Sequence, residues 1–209
     1  MRAGTAEAAT AVVAAALFCW LAAVVVHGGL AGFDETVRTN VHGLTAPWLT
    51  ASVEALTWLG AWVVLALFSG VAAVALNRAG RRREMKFFLV IMAGAVVLEN
   101  ALKFSIQRPR PPPFFGTDPT TYSFPSGHAL FSLCFYGALA VVLNRTAHRV
   151  IAWPAAVVIV AAIGGTRIYL GVHYPTDVIA GFLVAIAWLC TVLAAEAYLA
   201  PAGLRREAG

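Results

Sequence analysis

The feature that most constrains this chain is a succession of apolar runs, several of them about 20 residues long. A run of that length crosses a membrane as a helix, because lipid offers the backbone no other hydrogen-bonding partner. Hydrophobic residues make up 60% of the 209 residues and charged residues only 12%, a balance untypical of soluble domains. The sequence therefore predicts an all-α, polytopic membrane protein organised as one domain over residues 1–209.

Six transmembrane helices are predicted, together with one short helix on the membrane surface. The spans cover residues 9–26, 56–76, 87–106, 127–143, 150–165 and 176–199. Only Arg2 provides a basic flank before the first span, and the run is long for a signal peptide. We expect this span to be retained, with a cleaved signal as the alternative. Residues 33–50, which include Asp34, predict the surface helix, and Pro47 with Trp48 mark the return to the interface.

The distribution of Lys and Arg predicts the orientation of the spans. With a cytoplasmic N-terminus and C-terminus, ten of the 15 basic residues fall on the cytoplasmic side, as the positive-inside bias favours. Three of them form the run 81–83, which is typical of a topology anchor, with lipid-headgroup binding as the alternative. The five on the other side are Arg38, Lys103, Arg108, Arg110 and Arg167. Four of these flank two loops, which indicates an anionic ligand on the extracytoplasmic face.

The loop after the third span carries basic residues on a stiff backbone. Lys103 lies near the end of the predicted helix, and Arg110 stands between two prolines that favour an extended chain. A guanidinium presents a planar fork of donors that matches phosphate oxygens, and an ammonium adds a mobile positive charge. Alone, this pattern is also typical of basic side chains that reach from a helix end to lipid headgroups.

The same loop ends at Ser126-Gly127-His128, where the fourth apolar run begins. A helix N-terminus presents free backbone N–H groups and a partial positive charge, which suit an oxyanion. Ser126 is a candidate helix cap or phosphate ligand, Gly127 lets a ligand approach the backbone, and His128 faces the same space. The alternative is a plain helix cap beside an interfacial histidine.

A third group, Arg167, His173 and Asp177, lies between the fifth and sixth spans. Asp177 follows His173 by four residues, so its carboxylate can reach back to one ring nitrogen. That bond fixes the tautomer and leaves the other nitrogen with a lone pair for nucleophilic attack. In the alternative interpretation, Asp177 only stabilises the N-terminus of its own helix and His173 is structural.

Taken together, the three groups supply what phosphoryl transfer needs: a nucleophile with its orienting carboxylate, a second histidine for proton transfer, and three cations. The chain resembles the type 2 phosphatidic acid phosphatase superfamily, whose three signature motifs it matches in order and spacing: Lys103-x6-Arg110-Pro111, Pro125-Ser126-Gly127-His128 and Arg167-x5-His173-x3-Asp177. The resemblance covers nearly the whole chain, with the motifs inside residues 84–199. One departure is Thr166, where the family usually has Ser.

The resemblance implies a role for each of these residues. His173 would attack phosphorus and form a phosphohistidine, Asp177 would orient it, and His128 would protonate the leaving oxygen. The phosphate oxygens would be bound by Lys103, Arg110, Ser126, Gly127 and Arg167. Water would then release phosphate, and neither a metal nor a cofactor is implied.

Several residues are placed outside the predicted site. Glu99 lies one turn before Lys103, which predicts a structural ion pair or a brace for that lysine. Arg108 is off the register of the motifs, and we favour a role other than substrate contact for it. The cysteines predict neither a disulfide framework nor a zinc site, since all three lie in apolar runs: Cys19, Cys134 and Cys190.

The expected function is hydrolysis of a lipid phosphate or diphosphate outside the cytoplasm, since short loops leave no soluble domain to hold a polar substrate. Polyprenyl diphosphate is the leading candidate, followed by phosphatidic acid and phosphatidylglycerophosphate. One alternative is a phosphotransferase that passes the group from the histidine to another lipid or sugar. Another is a non-catalytic lipid-phosphate binding or transport protein, which would not need a His–Asp pair. Membrane lipids are the expected surroundings, and no nucleic-acid partner is expected.

Overall fold

The structure, a computed structural model, describes residues 4–116, 120–144 and 149–199. Within these ranges the chain is helical and has no strand. The helices are α1 Thr5–Val26, α2 Ala31–His42, α3 Pro47–Thr57, α4 Trp62–Arg78, α5 Arg82–Ile106, α6 Gly127–Asn144, α7 Arg149–Tyr169 and α8 Pro175–Leu199. Four basic residues of the predicted charge balance lie outside the described ranges: Arg2, Arg145, Arg205 and Arg206.

Five of these helices, α1, α5, α6, α7 and α8, are long and apolar enough to cross a membrane. The segments Pro47–Gly60 and Trp62–Arg78 pass the same test as a pair bent by 49°, which gives up to six crossings. The predicted all-α membrane fold is therefore confirmed. The helix boundaries differ in two places. The second span, predicted as continuous over residues 56–76, is interrupted by the 3-10 turn Trp58–Gly60. The predicted surface helix over 33–50 is likewise divided between α2 and α3.

The interruption coincides with a close approach of the backbone to two other helices. Ala61 is extended, with φ −69° and ψ 133°. A Cβ atom on Gly60 would clash with Ile163 of α7 and lie 3.1 Å from Cδ2 of His128 in α6. The absence of a side chain at Gly60 thus lets the bent segment pack directly on both helices.

The largest buried cluster joins α5, α6 and α8. Its members include Phe88 and Ile91 of α5, Leu130 and Cys134 of α6, and Leu189 of α8. Burial of such side chains stabilises the bundle by roughly 1.5–3 kcal/mol for each large one. The cluster fixes the three helices side by side, so that the end of α5 and the starts of α6 and α8 meet on one face.

The first helix closes the bundle against the last. A Cβ atom on Gly4 would lie 3.0 Å from Cβ of Ala197, so the start of α1 lies beside the end of α8. Farther along α1, Phe18 packs on Phe124, with ring centroids 5.8 Å apart. The end of α1 consequently lies at the face where α6 and α8 begin.

Candidate active site

The ends of four helices bring the predicted site residues together. Lys103 and Arg167 occupy the last turns of α5 and α7, while His128 and Asp177 occupy the first turns of α6 and α8. Six of the eight predicted residues line one cavity of about 850 Å³: Lys103, Arg110, Gly127, His128, Arg167 and His173. The other two, Ser126 and Asp177, are fully buried.

His173 is almost fully buried, and both of its ring nitrogens are engaged. Nδ1 lies 3.3 Å from Oδ2 of Asp177, and Nε2 lies 2.9 Å from Nη1 of Arg110. A guanidinium only donates hydrogen bonds, so Nε2 is the acceptor and the ring proton lies on Nδ1, toward the carboxylate. The lone pair of Nε2 therefore lies on the side of the cavity, in the tautomer that nucleophilic attack requires.

The surroundings of His173 also favour its neutral form. Burial, reinforced by the positive charges of Arg110, Arg167 and Lys103, holds the pKa of His173 well below its ordinary value of 6.5. The imidazole is consequently uncharged near neutral pH, and its lone pair is available.

Asp177 is held from three sides. Its Oδ2 accepts a hydrogen bond from the Tyr174 N–H at 2.9 Å as well as facing His173. Its Oδ1 accepts one from Nη1 of Arg108 at 2.6 Å. The other amino group of Arg108, Nη2, donates to Oδ2 of Asp34 at 2.7 Å. Arg108 thus binds two carboxylates, and its exclusion from substrate contact stays a prediction.

Arg110 is fixed in the loop that leads to α6. Its Nε donates to the carbonyl of Thr121 at 2.6 Å, and its Nη2 lies 2.9 Å from the hydroxyl of the same residue. Its Nη1 donates to the carbonyl of Val172 at 2.8 Å. The guanidinium is therefore oriented at the cavity before any ligand binds.

Within the part of the chain that the structure describes, two buried donors of the predicted site have no hydrogen-bond partner: Nε of Arg167, a cavity-lining residue, and the hydroxyl of Ser126, which directly precedes the cavity-lining Gly127. The Ser126 hydroxyl therefore does not cap α6, which was one of the two predictions for it. Buried polar atoms are nearly always paired, so both groups point to a ligand that supplies acceptors. Nη1 of Arg167 donates to Oγ1 of Thr57 at 2.8 Å, which orients its unpaired nitrogen.

Glu99 occupies the space beside Gly127. A Cβ atom on Gly127 would lie 2.8 Å from Oε1 of Glu99, and the same oxygen accepts Nζ of Lys103 at 2.7 Å. The predicted ion pair is confirmed, and the glycine provides the room for it.

Two site residues that the sequence analysis missed lie in the N-terminal helices. Thr57, at the end of α3, binds Arg167 and lies 3.0 Å from the hydroxyl of Thr166, the position that departs from the family motif. Asp34, in α2, is fully buried. A neutral threonine in an apolar run gives no signal in the sequence. The spacing of Asp34 and Arg38 suggests an ion pair on an exposed helix face, whereas Asp34 binds Arg108 instead.

The free thiols of Cys19, Cys134 and Cys190 take no part in the site. Over the described ranges, no group of three His, Cys, Asp or Glu residues is placed to hold a metal ion. Independence of the reaction from metals stays a prediction.

Comparison with known proteins gives a consistent result. Residues 84–200 match the PAP2 superfamily. The chain is 28% identical over 174 residues to phosphatidylglycerophosphatase B of Bacillus subtilis, covering 81% of this chain and 86% of that protein. It is 34% identical over 161 residues to decaprenylphosphoryl-5-phosphoribose phosphatase of Mycolicibacterium smegmatis, covering 71% and 81%.

The fold is similar to a crystal structure, that of the transmembrane PAP2-type phosphatidylglycerolphosphate phosphatase from Bacillus subtilis. The TM-score is 0.85 at 26% identity, and the match covers 92% of this chain and 98% of the other. The family match extends over more than half of the chain, and the structural match extends over nearly all of it. The chain therefore belongs to the PAP2 superfamily, and it is a membrane phosphatase.

Proposed function

We propose that this lipid phosphatase of the PAP2 kind hydrolyses its substrate through a phosphohistidine on His173. The observation that carries the proposal is the engagement of both ring nitrogens. Asp177 binds Nδ1, and Arg110 donates to Nε2 from the cavity wall. A structural histidine has no need of a lone pair directed at a cluster of cations.

In the first step, the Nε2 lone pair of His173 forms a bond to phosphorus. The bond between phosphorus and the leaving oxygen breaks, its electron pair stays on that oxygen, and His128 donates a proton to it. Arg110, which contacts Nε2 in the free protein, shifts its Nη1 to a phosphate oxygen. Asp177 stabilises the positive charge that develops on the ring.

In the second step, water attacks the phosphorus of the phosphohistidine. The N–P bond breaks and its electron pair returns to Nε2 of His173, while His128 accepts a proton from the water. The products are inorganic phosphate and a lipid alcohol, or a lipid monophosphate when the substrate is a diphosphate. Neither step requires a metal ion.

Several hydrogen-bond donors are placed to bind the phosphate oxygens. Two of them have no partner within the described residues, Nε of Arg167 and the hydroxyl of Ser126 next to Gly127, and the cavity is also lined by Lys103, Arg110 and Gly127. Such preorganised donors stabilise charge as it develops in the transition state, and each is worth about 10²–10³ in rate.

The cavity continues from these cations as an apolar groove between α4 and α5. The wall from α4 includes Leu65, Ala66 and Gly70, and the wall from α5 includes Leu89 and Val96. From Leu89 to the level of Lys103, α5 rises by about 21 Å, at about 1.5 Å per residue. A groove of this length suits a hydrocarbon tail, with the phosphate at its charged end, and favours a lipid over a soluble phosphate ester.

Two classes of lipid are candidate substrates for this site. Among the relatives, one is named for a glycerophospholipid and another for a polyprenyl-linked lipid, so both classes are candidates beside the polyprenyl diphosphate favoured from the sequence.

The positive-inside balance supports a site outside the cytoplasm. Labelling Gly43→Cys and Gly80→Cys, which lie in loops at opposite faces of the bundle, with a membrane-impermeant maleimide in intact cells tests this. If the active-site face lies outside the cytoplasm, the maleimide reacts with the Gly43→Cys variant and not with the Gly80→Cys variant.

The decisive experiment measures phosphate release by purified protein from phosphatidylglycerophosphate, phosphatidic acid and a polyprenyl diphosphate, with a chelator present. We expect activity on at least one lipid, inhibition by vanadate, and loss of activity in His173→Ala. A strict requirement for Mg²⁺, or full activity of His173→Ala, would overturn the mechanism. Transfer of the phosphoryl group to a second lipid or sugar, without free phosphate, would identify a phosphotransferase instead.

A further inference from the structure

A carboxylate from outside the matched family region is buried at the active site. Asp34 lies in α2, well before residue 84 where the family match begins. Its Oδ1 accepts the backbone N–H of Thr176 at 3.0 Å, and its Oδ2 accepts the Thr176 hydroxyl at 2.7 Å. The same Oδ2 accepts Nη2 of Arg108 at 2.7 Å. A buried carboxylate that is bound this fully has a defined orientation.

Arg108 connects this carboxylate to the nucleophile. Its Nη1 donates to Oδ1 of Asp177 at 2.6 Å and to the Thr176 hydroxyl at 2.8 Å. Its guanidinium carbon lies 4.0 Å from the centroid of the Tyr174 ring, so the guanidinium packs against this ring as well as being hydrogen-bonded at its edge. The result is a continuous chain of contacts from Asp34 through Arg108 and Asp177 to His173.

A second residue of α2 fixes the helix to the two loops of the site. Arg38, one turn after Asp34, is buried, and its Nη2 donates to the carbonyl of Pro112 at 2.9 Å. The same nitrogen lies 3.4 Å from the carbonyl of Gly171. One of these loops carries Arg110 and the other carries His173. The position of Asp34 relative to the nucleophile is therefore set by α2 as a whole.

The charges of the network match the charge that develops during attack. With a neutral His173, Asp34, Arg108 and Asp177 carry a formal charge of −1 in total. When phosphorus binds to Nε2, the ring becomes positive and the network becomes neutral. A bare Arg108–Asp177 pair would already be neutral and would leave the developing positive charge without a counterpart in a buried site, where charges interact strongly.

We propose that Asp34 is a positioning residue for the hydrolysis. Acting through Arg108, it orients Asp177 and supplies the second negative charge that balances the imidazolium-like ring. This inference rests on the proposed function, since it assigns Asp34 a role at the His173–Asp177 pair.

The test compares Asp34→Asn with Glu35→Gln, a carboxylate on the same helix that is 63% exposed and contacts Arg38 but not Arg108. Phosphate release from short-chain phosphatidic acid and from a polyprenyl diphosphate gives kcat and KM for both. We expect Asp34→Asn to lower kcat by about 10- to 100-fold, since small misplacements of catalytic groups have effects of that size. KM should change by less than about twofold, and Glu35→Gln should match the wild type.

A second arm separates positioning from plain stabilisation. In an Asp177→Asn background, Asp34→Asn should lower kcat no further, because residues that act through one another are not additive. Arg108→Lys, which keeps the charge but loses the two-pronged contact, should reproduce the kcat loss of Asp34→Asn. Thermal unfolding in detergent checks that each variant is folded.

Wild-type kcat in a folded Asp34→Asn protein would refute the inference, as would an equal loss of kcat in the Asp177→Asn background. A rise in KM at constant kcat would assign Asp34 to substrate binding instead and would equally refute it. Each of these outcomes leaves the proposed function intact as long as His173→Ala is inactive. An active His173→Ala would remove the proposed function itself.

Discussion

The helices α5 to α8 and the helices α1 to α4 contribute to the site in different ways. The first set carries or flanks all eight residues predicted from the motifs, and it coincides with the region that matches the family, 84–200. The second set carries none of them. Yet α4 forms one wall of the cavity, Thr57 binds Arg167, and Asp34 binds Arg108. In the proposed mechanism, the C-terminal half supplies the reacting groups, and the N-terminal half orients them and lines the groove proposed for the lipid tail.

The largest effect is expected within the C-terminal half. Asp177→Asn should lower kcat by about 10⁴-fold, because an amide no longer holds the Nδ1 proton of His173 and the wrong tautomer is favoured. Phosphate release under saturating substrate measures it. Glu196→Gln, at the opposite end of α8, is the matched control and should be close to wild type. An Asp177→Asn protein with a tenth of the wild-type kcat would contradict the assigned role.

Replacement of the cationic side chain of Arg110 should lower activity and shift the pH dependence of kcat/KM. Arg110 is the strongest charge that lowers the pKa of His173. In the wild type, the acidic limb of kcat/KM should therefore lie below pH 6.5, since activity is lost only when the ring is protonated. In Arg110→Gln the pKa of His173 rises, the limb shifts to higher pH, and the plateau falls by about 10²-fold. The control is Arg82→Gln, exposed at the far end of α5, which should leave the acidic limb and the plateau of kcat/KM unchanged. An acidic limb that does not shift in Arg110→Gln would argue against the electrostatic explanation.

The apolar groove offers a test of the N-terminal half. Gly70 lines the cavity from α4, and a Cβ atom there meets nothing within 4 Å, so Gly70→Leu should fold and occupy the groove. We expect kcat/KM for a long-chain lipid phosphate to fall about tenfold, which corresponds to two methylene groups displaced at about 0.8 kcal/mol each. A short-chain analogue should be unaffected. Ala75→Leu, exposed on the same helix outside the groove, is the control, and equal losses for both chain lengths would contradict the placement of the tail.

The smallest effect is expected at Thr57. Thr57→Val removes the acceptor for Nη1 of Arg167, a loss of about 1 kcal/mol for one hydrogen bond. KM should rise about fivefold, with kcat nearly unchanged, because Arg167 binds phosphate less well in the ground state. Thr10→Val, whose hydroxyl bonds only within α1, should show no change. If KM is unaltered, α3 does not orient Arg167.

The sequence allowed the C-terminal half to be predicted because its chemistry depends on short spacings. The separation of Glu99 and Lys103 is one helical turn, and His173 precedes Asp177 by four residues at the start of α8, so both pairs can be recognised in a single short segment. The contact between Asp34 and Arg108 joins residues 74 positions apart, and no local pattern encodes such a distance. The break at Gly60 was missed for a related reason. The apolar run is continuous there, and the bend depends on packing against Ile163 and His128.

The proximity of Gly4 to Ala197 places the start of α1 and the end of α8 at the same end of the bundle. If the described chain starts and finishes on the same side of a membrane, the number of times it passes through must be even. Five helices are long and apolar enough to cross on their own, so an even number of crossings requires the bent α3–α4 pair to be the sixth. The two helices α3 and α4 then form one bent crossing, and the apolar groove between α4 and α5 is bounded by membrane-spanning segments on both sides.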